Sequence, residues 1–219
     1  MSKSTITLAG LIDKAKESSP KRNFSQSMDL YLVLDRRKVN KSSVNINEMV
    51  GLPHPFLNSS DVVFIAAGDI AMNAKKLGAK VIEAEELDRY GTNKKAAKKI
   101  ARSTYSFVAD VTMMAKVGKA LGPVLAPRGK MPSPIPQNAN VETIYRRMLS
   151  NTRMKAKNQF VVPVKIGTEA MASKDLLDNA KAVVDALDKK LPGGKRSISS
   201  VIVKLTMGKP VKAKAAEVL

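Results

Sequence analysis

Cysteine and tryptophan are absent from this 219-residue chain, aromatic residues make up only 4%, and histidine occurs once. Without cysteine there are no disulfides, no thiolate chemistry and no zinc finger. The lone histidine, His54, stands in a turn between Pro53 and Pro55 and reads as a structural or hinge residue. Carboxylates are scarce as well. The 19 Asp and Glu show no metal-ligand spacing, and nothing pairs a general acid with a general base. No catalytic residue, metal or cofactor is therefore expected. Long apolar runs are missing too. Asp13 and Lys14 interrupt the opening "MSKSTITLAGLIDKAKESSP" before a signal peptide can form, and no stretch approaches the ~20 apolar residues of a membrane span. The chain reads as a soluble protein of the cytoplasm.

What is present is positive charge. Lys and Arg number 38, for a formal net charge of +19. A compact fold with that imbalance repels itself unless a polyanion neutralises it, which points to a nucleic-acid partner. An anionic membrane surface is the weaker competitor, because an amphipathic anchor wants Trp or Phe. The charge is also concentrated. Arg89, Lys94, Lys95, Lys98, Lys99 and Arg102 share an acid-free stretch, and Lys94, Lys98 and Arg102, four apart, are expected on one helix face. Arg146, Arg147, Arg153, Lys155, Lys157 and Lys165 form a second such stretch, while Glu83, Glu85 and Glu86 read as solvated ion-pair partners of the basic helix.

Patterning divides the chain into three parts. Leu8, Leu11, Ile12 and Ala15 recur at helical spacing, and "SMDLYLVLD" alternates as a strand with one buried face. "SVNINEMVGLP" is a weaker strand candidate. In the middle, "DVVFIAAG" is a continuous apolar run, the pattern of a strand buried on both faces of a parallel sheet. Strand and helix then alternate: a helix over 69–78, a strand in "AKVIEA", a basic helix over 92–103, a strand in "YSFVAD", a helix in "VTMMAKVGKAL", and a last helix in "NVETIYRRMLSN". The third part reads as a strand ("NQFVVPVKIG"), a helix broken by Pro192 to Gly194, and a strand ("SSVIVKLTMG"). Neither end has enough strands for a stable sheet alone. The expected fold is therefore α/β and α+β. A split two-layer α+β domain is built from residues 1–56 and 153–219, and a three-layer doubly wound, Rossmann-like α/β domain (57–152) is inserted into it. The chain crosses between them at a two-strand hinge near Pro53 to Pro55 and Asn151 to Lys155. Three small independent domains are the alternative.

The loop "LGPVLAPRGKMPSPIP" (121–136) invites comparison with a phosphate cradle. A P-loop needs glycines five apart, a hydroxyl after the lysine and a helix directly behind. Here Gly122 and Gly129 are seven apart, Met131 replaces the hydroxyl, and the trailing prolines forbid helix. After the first buried strand, "AAGDIA" has one glycine and no dinucleotide fingerprint. The loop reads as a stiff basic segment with Arg128 and Lys130 available to the phosphates of a nucleic acid. No aromatic RNP strand supports base stacking on a sheet, so shape-dependent reading of folded RNA is the expected mode. "LTMGKP" suits it: Thr206 offers a hydroxyl, Met207 a flexible apolar contact, and Gly208 close backbone approach. General binding to DNA or chromatin, which charge alone permits, is the alternative.

Three segments, "RNFSQSMDL" (22–30), "GKALGPVLAPRGKMPSP" (118–134) and "LTMGKP" (205–210), together resemble the L-one family of large-subunit ribosomal proteins. The resemblance covers essentially the whole chain. "VLA" between Gly122-Pro123 and "PRGKMPSP", with Lys209 before Pro210, is similar to the archaeal or eukaryotic branch. The resemblance implies a two-domain structural protein, monomeric when free, that binds large-subunit rRNA in the mobile stalk near the exit-site tRNA. It also implies help in tRNA release and repression of the protein's own mRNA. By position it implies rRNA contacts at Phe24, Ser27, Gly167, Thr168, Ser200, Thr206, Met207 and Gly208. Lys94, Lys98, Arg102, Arg128 and Lys130 remain secondary phosphate contacts.

Overall fold

The computed structural model describes residues 7–136, 139–191 and 193–218; Pro192, expected to help break the last long helix, lies outside them. The chain folds into two compact units. One is Leu57–Leu149; the other joins Phe56 and the described residues before it to Ser150 and those after it.

The first unit opens with α1 (Leu8–Glu17), started by Thr7, whose hydroxyl accepts from the Gly10 amide at 3.3 Å. Its apolar stripe of Leu8, Leu11, Ile12 and Ala15 is buried as the spacing predicts. Strand β1 (Ser27–Leu34) buries every second side chain, with Met28, Leu30, Leu32 and Leu34 at 1% exposure or less. β2 (Asn45–Gly51) follows.

The inserted unit begins with β3 (Val62–Ile65) and continues through α2 (Gly68–Lys76), β4 (Lys80–Ile82), α3 (Ala84–Thr92), α4 (Lys94–Ser103) and β5 (Ser106–Asp110). It closes with α5 (Met114–Ala120), α6 (Gly122–Leu125), β6 (Ser133–Ile135) and α7 (Val141–Ser150). The strands form one parallel sheet in the order β4-β3-β5-β6. β3 explains its own unbroken apolar run. Val63 and Ile65 pack with Leu87, Ile100 and Leu121 on one face, while Val62 and Phe64 pack with Ile70, Ala74 and Tyr145 on the other. Two elements differ from the sequence expectation. The basic helix is preceded by a separate α3, and Asn93 divides them: its side chain accepts from the Lys95 and Ala96 amides at 3.1 Å, ending one helix and starting the next. The 121–136 segment is less of a loop than expected. Pro123 sits in the first turn of α6, where its missing N–H costs nothing, and Pro134 lies on edge strand β6 opposite Ala109.

The chain then returns through β7 (Asn151–Lys157), β8 (Val161–Thr168), α8 (Ser173–Asp188), β9 (Ile198–Leu205), β10 (Val211–Lys214) and α9 (Ala215–Val218). β1 pairs antiparallel with both β8 and β9, giving the sheet order β10-β9-β1-β8, and β2 pairs with β7 in a separate two-stranded ladder. α1 and α8 cover one face, with Leu11, Ile12, Val183 and Leu187 fully buried. The segment Asn151 to Lys155, expected as a hinge strand, is ladder strand β7 opposite Asn47 to Gly51. The compact units therefore meet along the chain at 56–57 and 149–150.

His54 is a structural residue here. The fully buried Asn179 of α8 accepts from the His54 amide (2.9 Å) and donates to the carbonyls of His54 (3.1 Å) and Ile166 (2.9 Å). The imidazole Nε2 stands 3.8 Å from Asp175 and 3.7 Å from Asp178. Asn179→Leu leaves three backbone groups without that partner, and we expect a loss of about 2–4 kcal/mol in urea unfolding. A loss below ~0.5 kcal/mol would contradict this role for the amide.

Candidate nucleic-acid interface

Because β1 is antiparallel to both its neighbours, its start lies beside the ends of β8 and β9. Ser27 is opposite Thr168, and Met28 is opposite Gly167 on one side and Leu205 on the other. Three segments far apart in sequence thus meet at one end of the sheet: Phe24 to Ser27, Gly167 to Thr168, and Thr206 to Gly208. Ser200 does not join them. It is 5% exposed, pairs with Val33 near the start of β9, and lies six residues, or about 20 Å, along the strand. As placed, its buried hydroxyl is not a contact in this cluster.

The polar groups at this end are largely spent on the protein itself. The Thr206 hydroxyl accepts from the Ser27 amide at 3.1 Å and donates to the Ser27 carbonyl at 3.2 Å; the Thr206 amide donates to that same carbonyl at 3.1 Å. The Thr206 hydroxyl is therefore a staple between the end of β9 and the start of β1. The two glycines serve packing. A Cβ at Gly167 would stand 2.4 Å from Leu176 Cδ2 and 2.8 Å from Met171 Sδ. One at Gly208 would stand 3.0 Å from Ser19 Oγ and 3.1 Å from its Cβ. Both glycines are buried, so the close backbone approach they permit is to neighbouring protein segments.

Exposed at this end, beside Asn23, Ser25 and Thr206, are two large apolar side chains. Phe24 is 51% and Met207 55% exposed, large side chains left in water beside half-buried Ser27 and Thr168. Single exposed apolar residues are ordinary. Here two stand at one strand-end cluster, flanked by exposed Lys21, Arg22 and Lys209, so apolar surface and positive charge adjoin. One residue further into the sheet, Asp29 sits between Lys165 and Lys204 on the neighbouring strands. Burial pushes its carboxyl above the ordinary aspartate value, against the pull of those two lysines. Lys165 also lies over the Phe56 ring, 5.1 Å from its centroid.

The inserted unit carries a separate basic face. Lys94, Lys98 and Arg102 are all exposed on α4, as the spacing predicts, and Lys95 and Lys99 join them opposite buried Ala97, Ile100 and Ala101. None of these five makes an ion pair among the described residues. Lys95 and Lys99, also four apart, form a second row beside Lys94, Lys98 and Arg102. Of the acids beside this face, Glu83 pairs instead with Lys75 on α2. The second basic stretch is divided and partly committed. Arg146 pairs with Glu142 on α7, and the Arg153 guanidinium donates to Asn47 on β2.

Arg128 is exposed, whereas Lys130 turns inward. Gly129, at φ +67°, takes the left-handed conformation that lets the Lys130 amide return to the Leu125 carbonyl at 3.1 Å. The Lys130 ammonium then donates to the carbonyls of Ala101, at 2.9 Å, and Thr104, at the C-terminal end of α4. Burial lowers its pKa, with nearby Arg128 adding to the effect and Asp61 opposing it. Lys130 is therefore a helix-end tie and not a phosphate contact.

Among the described residues no group of three or more His, Cys, Asp and Glu side chains is placed to hold a metal ion, and no helix is long and apolar enough to cross a membrane. Comparison with known proteins places these features in context. The family model described as Ribosomal protein L1p/L10e family matches residues 14–209. Large ribosomal subunit protein uL1 of Hyperthermus butylicus is 41% identical over 203 residues, covering 93% of this chain and 94% of that protein. Its counterpart from Methanothermobacter thermautotrophicus is 41% identical over 202 residues, covering 92% and 95%. That from Methanococcus vannielii is 39% identical over 197 residues, covering 90% and 92%. Lys130→Met is expected to destabilise the inserted unit by about 1–2 kcal/mol in urea unfolding while leaving affinity for structured RNA unchanged. Weakened RNA binding with unchanged stability would return Lys130 to the phosphate contacts.

Proposed function

The chain belongs to the Ribosomal protein L1p/L10e family, and on that premise we propose that it is a non-catalytic structural constituent of the large ribosomal subunit that binds folded large-subunit rRNA through the Phe24–Met207 end of its antiparallel sheet. One observation carries the placement. At the junction of β1, β8 and β9, the Thr206 hydroxyl is tied to the Ser27 backbone and the Met207 amide to Gln26, and Phe24 and Met207 are the large apolar side chains left exposed there. Apolar contacts held by a rigid frame suit the shape of folded RNA, where unstacked bases and sugars present surfaces that a duplex hides. Flanking cations supply the salt-dependent part of the affinity.

The finer reading has four parts. The protein forms part of a mobile stalk, moving about the crossings at 56–57 and 149–150. Its α4 face and Arg128 meet phosphates of exit-site tRNA and assist its release. It represses its own mRNA through an RNA fold that resembles the rRNA site. Free of RNA, it is a monomer in the cytoplasm. The cations of α4 support the second part, since five exposed charges unpaired among the described residues suit a phosphate backbone.

A salt titration of binding to structured rRNA fragments, with duplex DNA as competitor, tests the reading. We expect a steep salt slope and little loss to DNA; equal competition by duplex DNA would favour a general nucleic-acid binder. Met207→Asp sets a carboxylate against the phosphate backbone and is expected to weaken binding about a hundredfold or more, with the thermal midpoint unchanged. Charge reversal of Lys94, Lys98 and Arg102 together is expected to cost less than about tenfold with the same fragment. If Met207→Asp binds like the parent protein, the primary site lies elsewhere.

A further inference from the structure

We propose that Gln26 is the positioning residue of the RNA-binding end, an inference that rests on the functional reading above. Its side chain is 1% exposed, although it lies in a polar run two residues from half-exposed Phe24. From there it touches all the segments that shape the surface. Oε1 accepts from the Met207 amide at 3.0 Å. Nε2 donates to the Pro20 carbonyl at 3.1 Å and to Ser19 Oγ at 3.3 Å, just beyond α1. The Gln26 carbonyl accepts from the Glu169 amide at 2.9 Å, just beyond β8.

These partners dictate the amide's orientation. The Met207 N–H requires an oxygen and the Pro20 carbonyl requires a donor, so the two ends of the amide are not interchangeable. Ser19 is itself pressed between Gln26 and Gly208, since a Cβ on Gly208 would meet Ser19 Oγ and Cβ. The chain after β9 is therefore held at consecutive points: Thr206 by Ser27, Met207 by Gln26, and Gly208 by the close approach of Ser19.

The consequence concerns binding. An exposed methionine on a free turn samples many conformations, and ordering it on the RNA opposes association. Gln26 fixes the Met207 peptide before RNA arrives, so the side chain projects from a defined origin. It also couples the Phe24 segment to the Met207 segment, because the residue that bonds Met207 is two peptides from Phe24. Gln26 thus acts through Met207 and Phe24 and need not touch RNA at all.

The test compares the full-length parent protein with Gln26→Met, which keeps the length and apolar bulk and removes every side-chain hydrogen bond. Two readouts are needed: affinity for a structured rRNA fragment, and amide hydrogen exchange. We expect the Met207 amide to exchange faster while amides of Leu30 and Val203 keep their protection, and affinity to fall about tenfold, chiefly through a faster off-rate. If Gln26→Met does not fold, Gln26→Asn, which keeps a buried amide but withdraws it by one methylene, is expected to show the same pattern with a loss of about threefold. Fast exchange at Met207 with undiminished affinity overturns the proposal and leaves the site standing. Failure of the parent protein to bind rRNA overturns the functional reading, and this inference with it.

Discussion

Everything proposed for this protein depends on β1 occupying the middle of a sheet that neither chain end could build alone. β1 comes from the N-terminal part, and both of its neighbours, β8 and β9, come from beyond the inserted unit. The pairing is specified by the pleat. Met28, Leu30, Leu32 and Leu34 point into the core, so a one-residue slip would place all of them on the solvent side. The same register carries Ser27 to Thr168 and brings Thr206 to Ser27, so the proposed binding end follows from the packing of the core.

That constraint determines which groups are free to act. At a strand end the backbone needs partners, and here the Thr206 hydroxyl and the Gln26 amide provide them. Glycine at 167 and 208 leaves room for Leu176, Met171 and Ser19. Residues that look like ligand-binding polar groups in the sequence thus turn out to build the frame. The surface they support is Phe24 and Met207 with a cationic border. The inserted unit shows the same economy: Lys130 closes the end of α4 with its ammonium, while the five cations along that helix stay exposed.

Much of the architecture was legible because its signals are periodic. The alternation in "SMDLYLVLD" and the unbroken run in "DVVFIAAG" report burial directly, and the structure agrees; of Leu176, Leu177, Ala180, Val183, Val184 and Leu187, which read as one helix face, all but half-buried Leu177 are buried. β7 escaped notice because "NTRMKAK" reads as a basic linker, and only its pairing with β2 makes it a strand. α3 was missed and the basic helix begun at 92, because Asn93 is ordinary inside a polar run until its side chain is seen to cap. At the candidate site, the segments were readable but the roles of their atoms were not. Nothing in "RNFSQSMDL" separates buried Gln26 from exposed Phe24, because the distinction lies in Pro20, Ser19 and Met207, which reach it only in the fold. Ser200 was misread for the converse reason. It lies near the start of β9 and Thr206 just past its end, so a strand's length separates them.

The most direct test of the central claim is to titrate the isotope-labelled protein with a structured rRNA fragment and follow every backbone amide by NMR. If the account is right, the large shifts cluster at Phe24 to Ser27, Thr168 and Met207 to Lys209, the three segments that β1 brings together. Shifts centred on Lys94 to Arg102, with Met207 and its neighbours unmoved, would contradict it.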